Sequence, residues 1–153
     1  METSLITLSG KTSTFGGPKD MGVSASEGLA LIEPEDLTDP RFAELFLPDQ
    51  PPGTHGLARR LNPEMFYCAM RWAYKSDDVN QDRGEGKMLP ITTSRALLRH
   101  GGKILVKANG LACEVQPVDW GPGIEDRLID VSPGVFQFLG LQTDDEVTVI
   151  LPW

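Results

Sequence analysis

The sequence has few basic residues, cysteines and histidines. Its 14 Lys and Arg stand against 22 Asp and Glu, a formal net charge of −8. Nucleic acids and anionic membrane surfaces are bound through clustered positive charge, so we expect neither as a partner. The two cysteines, Cys68 and Cys113, are too few for a disulfide scaffold, and two buried free thiols are favoured over one bridge. With only His55 and His100 beside them, no pair has zinc-ligand spacing, so we expect no metal and no other cofactor.

Long apolar runs are also missing. No segment approaches the ~20 apolar residues that a transmembrane helix needs, so membrane insertion is not expected. The first ten residues, METSLITLSG, lack the basic start and the apolar run of a secretory signal peptide. Three expectations follow for localisation: the protein acts where it is made, leaves by a route other than general secretion, or has lost a leader.

Glycine and proline are plentiful, with 16 and 12 of the 153 residues. They separate short apolar runs, a pattern typical of turns between short strands. At this length we expect a single domain, residues 1–153. The proline-rich residues 34–64 are predicted to form an inserted surface loop with one short helix at 40–46, capped by Asp39. The polar residues 75–90 are predicted to form a mobile loop.

Local patterns predict a mainly β chain. Strands are predicted within 5–17 and at 29–32, 65–74, 103–107, 111–118 and 146–151. Asn109-Gly110 predicts a tight hairpin turn between two of these strands. Short helices are predicted at 93–100 and at 133–139, the latter with Ser132 as N-cap and Gly140 just past its end. Six or seven short strands with two or three short helices indicate a small β-barrel.

Two acidic residues stand eleven positions apart, each near the end of a predicted strand. If the two strand ends meet, Asp119 and Asp130 can share one cleft. Cleavage of a glycosidic bond requires paired carboxyl groups in unlike environments, one of them a protonated general acid. Structural alternatives stay open: Asp130 can fix the turn before Ser132, and Asp119 can cap the turn at Gly121.

The same segment carries a family resemblance. The runs D-x-G-P at 119–122, apolar-apolar-D-x-S at 128–132 and L-G at 139–140 resemble the double-psi β-barrel of the rare lipoprotein A type. That family is related to expansins, barwin and the small barrel endoglucanases. The strand at 102–106 is similar to the family's G-x-x-V-x-V. The resemblance implies a six-stranded double-psi β-barrel with short helices and a long loop insertion.

The resemblance also implies catalytic roles. In expansins, barrel endoglucanases and the membrane-bound lytic transglycosylase A, an Asp at the position of Asp130 is the catalytic acid. The transglycosylase carries a further Asp at the position of Asp119. Such enzymes cleave the MurNAc–GlcNAc bond of peptidoglycan with one acid that doubles as base, and they leave a 1,6-anhydro end. We therefore expect Asp130 to be the general acid and Asp119 its partner.

Five residues are candidates for binding the substrate. Thr14, Phe15 and Asp20 fall on the T-x-Y-G-G…D opening of expansins, with Phe15 in place of the Tyr. Trp120 stands where the family has Arg and is a candidate platform for a sugar ring, with plain packing as the alternative. Arg71 lies on the strand face that reaches solvent or a carboxylate.

The leading expectation is a domain that cleaves or binds a polysaccharide, with peptidoglycan favoured. The alternatives are a non-catalytic glycan- or protein-binding module, as in expansins, and a structural component of a phage tail or injection assembly with protein partners. The resemblance places the protein at the cell wall, outside the cell or on a virion. An enzyme predicts an open groove faced by both carboxylates. A structural protein predicts that its own insertion or a neighbouring subunit fills that region.

Overall fold

The computed structural model describes residues 5–16, 38–48, 61–70, 103–121 and 126–152, and strands make up 52% of them. The six strands are β1 (Leu5–Thr14), β2 (Tyr67–Met70), β3 (Ile104–Ala108), β4 (Leu111–Trp120), β5 (Arg127–Val131) and β6 (Glu146–Pro152). They close into one barrel. The described residues also include one α-helix, α1 (Pro133–Leu139), and a 3₁₀ helix at Ala43–Leu45. The predicted mainly β, six-stranded barrel is confirmed.

The strands follow one another around the barrel in the order β1–β5–β2–β4–β3–β6. The pairs β1/β5 and β2/β4 are parallel, and the other four pairs are antiparallel. Adding or subtracting three from every strand number reproduces all six pairings with their directions. The first three strands and the last three are therefore related by a two-fold of the topology, although the sequence contains no repeat.

The β3–β4 hairpin turns at the predicted position. Asn109 and Gly110 have φ values of 53° and 76°, and two positive values in succession are what a two-residue hairpin turn of type I′ requires. The Asn109 Nδ2 atom also donates to the carbonyl oxygens of Leu139 at 2.7 Å and Gly140 at 3.3 Å. The turn is thereby tied to the carboxyl end of α1.

The barrel interior is filled by alternate residues of each strand. One paired row consists of Val106, Cys113 and Val149, and another contains Cys68 and Val131; all five side chains are buried. Both cysteines are free thiols, as predicted. Burial raises the pKa of Cys113 to about 11. Burial also raises the pKa of Cys68 well above its ordinary value, with smaller contributions from the charges of Asp130 and Cys113.

The helix α1 has the predicted boundaries. Ser132 caps it, with its Oγ accepting from the Val135 N–H at 3.3 Å, and Gly140 ends it with a φ of 67°. The first turn docks on residues 63–64, because the Gly134 N–H donates to the Pro63 carbonyl at 2.8 Å. A Cβ atom at Gly134 would lie 2.8 Å from a backbone oxygen, so only glycine permits this approach.

The described part of the 34–64 insertion differs from the predicted surface loop. Instead of a helix at 40–46 capped by Asp39 there is a 3₁₀ helix of three residues whose N-cap is Phe42, with no side-chain cap. Asp39 lies in the preceding turn, where its Oδ1 accepts from the Arg41 N–H at 2.9 Å. Phe42, Leu45 and Leu61 are buried and belong to the same apolar cluster as the barrel core. This part of the insertion is packed on the barrel rather than solvated.

Other predictions are only partly covered. The strand predicted at 65–74 is observed as the four residues of β2, and residues 71–74 lie outside the described part of the chain. The strand at 29–32, the helix at 93–100 and the loop at 75–90 lie there as well.

Candidate functional site

The two acids lie in one row across the barrel wall. On β2, Ala69 pairs with Asp130 of β5 on one side and with Asp119 of β4 on the other. Ser13 of β1 pairs with Asp130 and extends the row to four strands. Residues paired across a sheet point to the same face. The row lies on the face opposite the buried Cys68, so both acids face the outside of the barrel.

A register shift turns Asp119 to the face of Asp130. In the β2/β4 pair, Cys68 stands opposite Pro117 and Ala69 opposite Asp119, so Val118 is skipped. With a regular ladder Val118 would stand beside Ala69, and Asp119 would turn to the interior. Bulges of this kind re-aim side chains and are enriched beside active sites.

The β1/β5 pair contains a second shift. Lys11 stands opposite Arg127 and Thr12 opposite Ile129, so Leu128 is skipped. This shift sets Asp130 opposite Ser13. Each parallel pair of the barrel therefore contains one irregularity within a few residues of the row. The shift in β2/β4 turns Asp119 to the face of Asp130, and the shift in β1/β5 adds Ser13 to the row.

The spacing of the acids follows from the strand order. Asp119 and Asp130 are separated by β2, so two strand spacings of ~4.8 Å put their Cα atoms about 10 Å apart. Side chains on the outside of a closed barrel diverge, which does not bring the carboxyl groups closer. Ala69, with only a methyl group, stands between them and is 2% exposed.

The surroundings of Asp130 are more enclosed than its position on the outer face requires. Its side chain is half-buried, and the Oδ1 atom is fully buried. Gly121 lies against Oδ2, since a Cβ atom there would be 3.6 Å from this oxygen and 3.8 Å from the Ala69 Cβ. The Gly121 N–H donates to the Met70 carbonyl at 3.1 Å. The backbone that follows β4 thus approaches the row, and the glycine of the D-x-G-P run keeps that approach free of a side chain.

The predicted substrate-binding residues have different positions. Trp120 ends β4, where it pairs with Met70. Thr14 is exposed at the end of β1. Phe15 packs edge-on against Tyr67, with ring centroids 5.2 Å apart, and its carbonyl accepts from the Tyr67 hydroxyl at 3.0 Å. The Phe15 ring is therefore part of the packing of the barrel end.

Asp20 and Arg71 lie outside the described residues. Two members of the row, Ser13 and Ala69, were not predicted as site residues. No local signal marks them, because their importance comes only from the strands beside them.

Within the described ranges, no group of three or more His, Cys, Asp or Glu side chains is arranged to hold a metal ion. No helix in that part of the chain is long and apolar enough to cross a bilayer. A comparison with known protein families finds none that matches this chain, and no curated protein matches it either. The geometry of the row is therefore the basis for a functional proposal.

Proposed function

We propose that this protein is a glycan-acting domain of the double-psi barrel type that cleaves peptidoglycan in the manner of a lytic transglycosylase. The row that joins Asp130, Ala69 and Asp119 carries the proposal. A register shift in the β2/β4 pair turns Asp119 to the outer face that Asp130 shares, with a small residue between them. The motifs that resemble the rare lipoprotein A family supply the two acids of this row.

Asp130 is the general acid in this proposal. Acid catalysts of glycosidic bonds lie in less solvated surroundings than their partners. Asp130 is half-buried, with one carboxyl oxygen fully buried and the other against the Gly121 backbone. Asp119 lies two strand spacings away and stabilises the positive charge that develops on the sugar ring.

The spacing of the acids disfavours a covalent intermediate on the second carboxylate. Retaining glycosidases with a carboxylate nucleophile hold their two carboxyl groups only ~5 Å apart. The Cα atoms of Asp119 and Asp130 are about 10 Å apart, and their side chains diverge, so the two carboxyl groups are not brought closer than that. In the transglycosylase reaction, Asp130 gives its proton to the glycosidic oxygen as the C1–O bond breaks. The C6 hydroxyl then attacks C1 and returns its proton to Asp130, so a 1,6-anhydro ring forms without water.

The test is mass spectrometry of peptidoglycan sacculi incubated with the protein. Because the net charge of −8 repels an anionic polymer, the assay is run at ~0.15 M salt, where exposed charges are screened beyond about 8 Å. We expect anhydro-muropeptides from the unmodified protein. Asp130→Asn should lower the rate ~100-fold or more, because general acids contribute that much. Asp119→Asn should have a smaller effect.

Asp126→Asn is the matched control. Asp126 lies just before β5, is exposed and pairs with Lys11 at 3.3 Å away from the row, so its loss should leave the product yield unchanged. Products with reducing ends would show hydrolysis and contradict the transglycosylase mechanism. If no product forms at high protein concentration over a range of pH, the enzyme proposal fails, and co-sedimentation with sacculi then decides whether the domain binds glycan at all.

A further inference from the structure

A second set of charged side chains lies next to the acid row on the outer face of the barrel. Lys11 of β1 pairs with Arg127 of β5, and Ser13 of β1 pairs with Asp130 of β5. The residues between these two pairs are all buried: Thr12, Leu128 and Ile129. Arg127 and Asp130 therefore share the outer face. Lys11 and Ser13 are two residues apart, so the two pairs lie about 7 Å apart along the strand direction.

An arginine in this position can oppose acid catalysis. A general acid must carry a proton before the reaction, and a guanidinium beside a carboxyl group lowers its pKa by ~1–3, which removes that proton. Residues ~7–8 Å apart on one face of a sheet are within reach of long side chains. The two groups already interact, because the charge of Asp130 contributes to a raised pKa of Arg127, after the larger effect of the hydrogen bond to Asp144.

Asp144 directs the guanidinium away from Asp130. The Nε atom of Arg127 donates to Asp144 Oδ1 at 2.8 Å, and Nη2 lies 3.5 Å from Oδ2. A forked pair of this kind fixes the orientation of the guanidinium plane. The Arg127 side chain is only 18% exposed, so the pair is partly shielded from water and salt.

The backbone around Asp144 is fixed against β1. The Asp144 N–H donates to the Thr12 carbonyl at 2.8 Å, and the Thr12 N–H donates to the Asp145 carbonyl at 3.0 Å. Asp144 has a φ of 71°, in the left-handed region. A residue other than glycine keeps such a conformation where its surroundings determine it, and such residues cluster at functional sites. The loop before β6 therefore holds this carboxylate beside the β1/β5 pair.

Other titratable groups surround Asp130 on the elements packed against it. Within the described ranges these are Lys11, Tyr67, Cys68, Asp119, Asp126 and Asp145. Lys11 is paired with Asp126 at 3.3 Å. Cys68 faces the interior, and Asp119 lies two strands away. Both cations near the acid are thus paired with carboxylates of their own, and Arg127 is the one on the same strand as Asp130.

We propose that Asp144 is a positioning residue for the general acid: it holds the Arg127 guanidinium away from Asp130, so that Asp130 keeps the proton that catalysis needs. The role of Asp130 as an acid rests on the proposed function. The electrostatic relation between the three side chains does not, because it involves no substrate. Without the Asp144 carboxylate, the guanidinium turns to Asp130 and stabilises its ionised form.

The experiment is a pH titration of the Asp130 carboxyl group, followed by ¹³C NMR without substrate, with Asp130→Asn to identify the signal. Asp144→Gly removes the carboxylate and suits the φ of 71°. It should move the midpoint to lower pH by about 1 or more, because Arg127 then pairs with Asp130. In an Arg127→Met background the same change should move the midpoint far less, since no guanidinium is released.

Glu146→Gln is the matched control. Glu146 is exposed, lies two residues after Asp144 and stands opposite Lys11, so this variant removes one negative charge without releasing Arg127. Its midpoint should stay close to that of the unmodified protein. If Asp144→Gly does not fold, Asp144→Asn keeps a neutral acceptor and should give a smaller change in the same direction.

Three results would overturn the proposal: an unchanged midpoint in Asp144→Gly, an equal fall in Glu146→Gln, or an equal fall in the Arg127→Met background. In the assay with peptidoglycan sacculi, the alkaline limit of the pH profile should fall with the midpoint, because only the protonated acid reacts. The titration itself needs no catalysis. A protein that shows the expected midpoints but releases no product would refute the proposed function and leave Asp144 as the residue that sets the protonation of Asp130.

Discussion

Asn109 combines a turn conformation with a tertiary hydrogen bond, and the two roles can be separated by substitution. Its φ of 53° suits asparagine and glycine, and its Nδ2 donates to the Leu139 and Gly140 carbonyls at 2.7 and 3.3 Å. The last carbonyls of a helix have no partner within the helix, so this side chain supplies one. Asn109→Gly keeps the turn and loses the bond. Asn109→Asp keeps the side-chain shape and replaces the donor with a carboxylate.

The size of each effect follows from these contacts. Losing one net hydrogen bond in Asn109→Gly should lower the free energy of unfolding by about 1 kcal/mol. Asn109→Asp should lower it by about 2 kcal/mol, because a negative charge then faces two carbonyl oxygens at the negative end of the helix dipole. Asn109→Ala should also lose about 2 kcal/mol, since it adds the cost of a positive φ to the lost bond. For a chain of this size, each kcal/mol corresponds to roughly 2–4 °C in Tm.

Urea unfolding and thermal melts of the four proteins, followed by circular dichroism, provide the measurement. The expected order of stability is the unmodified protein, then Asn109→Gly, then Asn109→Ala and Asn109→Asp. A glycine variant as stable as the unmodified protein would show that the hydrogen bonds to α1 contribute nothing. An aspartate variant more stable than the glycine variant would refute the electrostatic argument.

Two further predictions concern the thiols and one ion pair. Burial raises the pKa of Cys113 to about 11 and also raises that of Cys68, so both thiols stay protonated and unreactive in the folded protein at pH 8. Their reaction with Ellman's reagent should therefore be only as fast as unfolding exposes them. A thiol that reacts at once would contradict this. The 2.8 Å hydrogen bond from Arg127 Nε lowers the pKa of Asp144, so the pair stabilises the fold above the ordinary Asp pKa, and this contribution is lost as the pH falls through the lowered value. Asp144→Asn tolerates the φ of 71° and should lower the urea midpoint at pH 6 but not at pH 2; equal losses at both pH values would disprove the role of the charge.

Local signals predicted the C-terminal half of the fold well. Asn109-Gly110 marked the hairpin, and Ser132 and Gly140 marked both ends of α1. Each of these signals acts over a few residues: a turn that needs positive φ, a hydroxyl that caps an N–H, and a glycine past the last helical turn. Such features are decided by neighbours in the chain, so the sequence alone reveals them.

The packed insertion and the acid row could not be predicted in the same way. Phe42, Leu45 and Leu61 are apolar residues scattered among prolines, and only the finished barrel offers them a surface to cover. The sequence placed Asp119 and Asp130 near strand ends but left open whether those ends meet. The two acids lie in one row because β2 pairs with both β4 and β5. This strand order depends on closure of the whole barrel.

The topological two-fold relates the positions of the two acids to positions in the N-terminal half of the barrel. Exchanging strands three apart swaps β1 with β4 and β2 with β5, so the row maps onto itself. Asp130 and Ala69 then occupy equivalent places, as do Asp119 and Ser13. The row thus contains two pairs of equivalent positions. In each pair, the position on the C-terminal half of the chain holds an acid. The equivalent positions on the N-terminal half hold Ser13 and Ala69, so both acids of this symmetric row come from the C-terminal half. The proposed function rests on this arrangement, in which one acid lies close to the two-fold and the other lies one strand beyond Ala69.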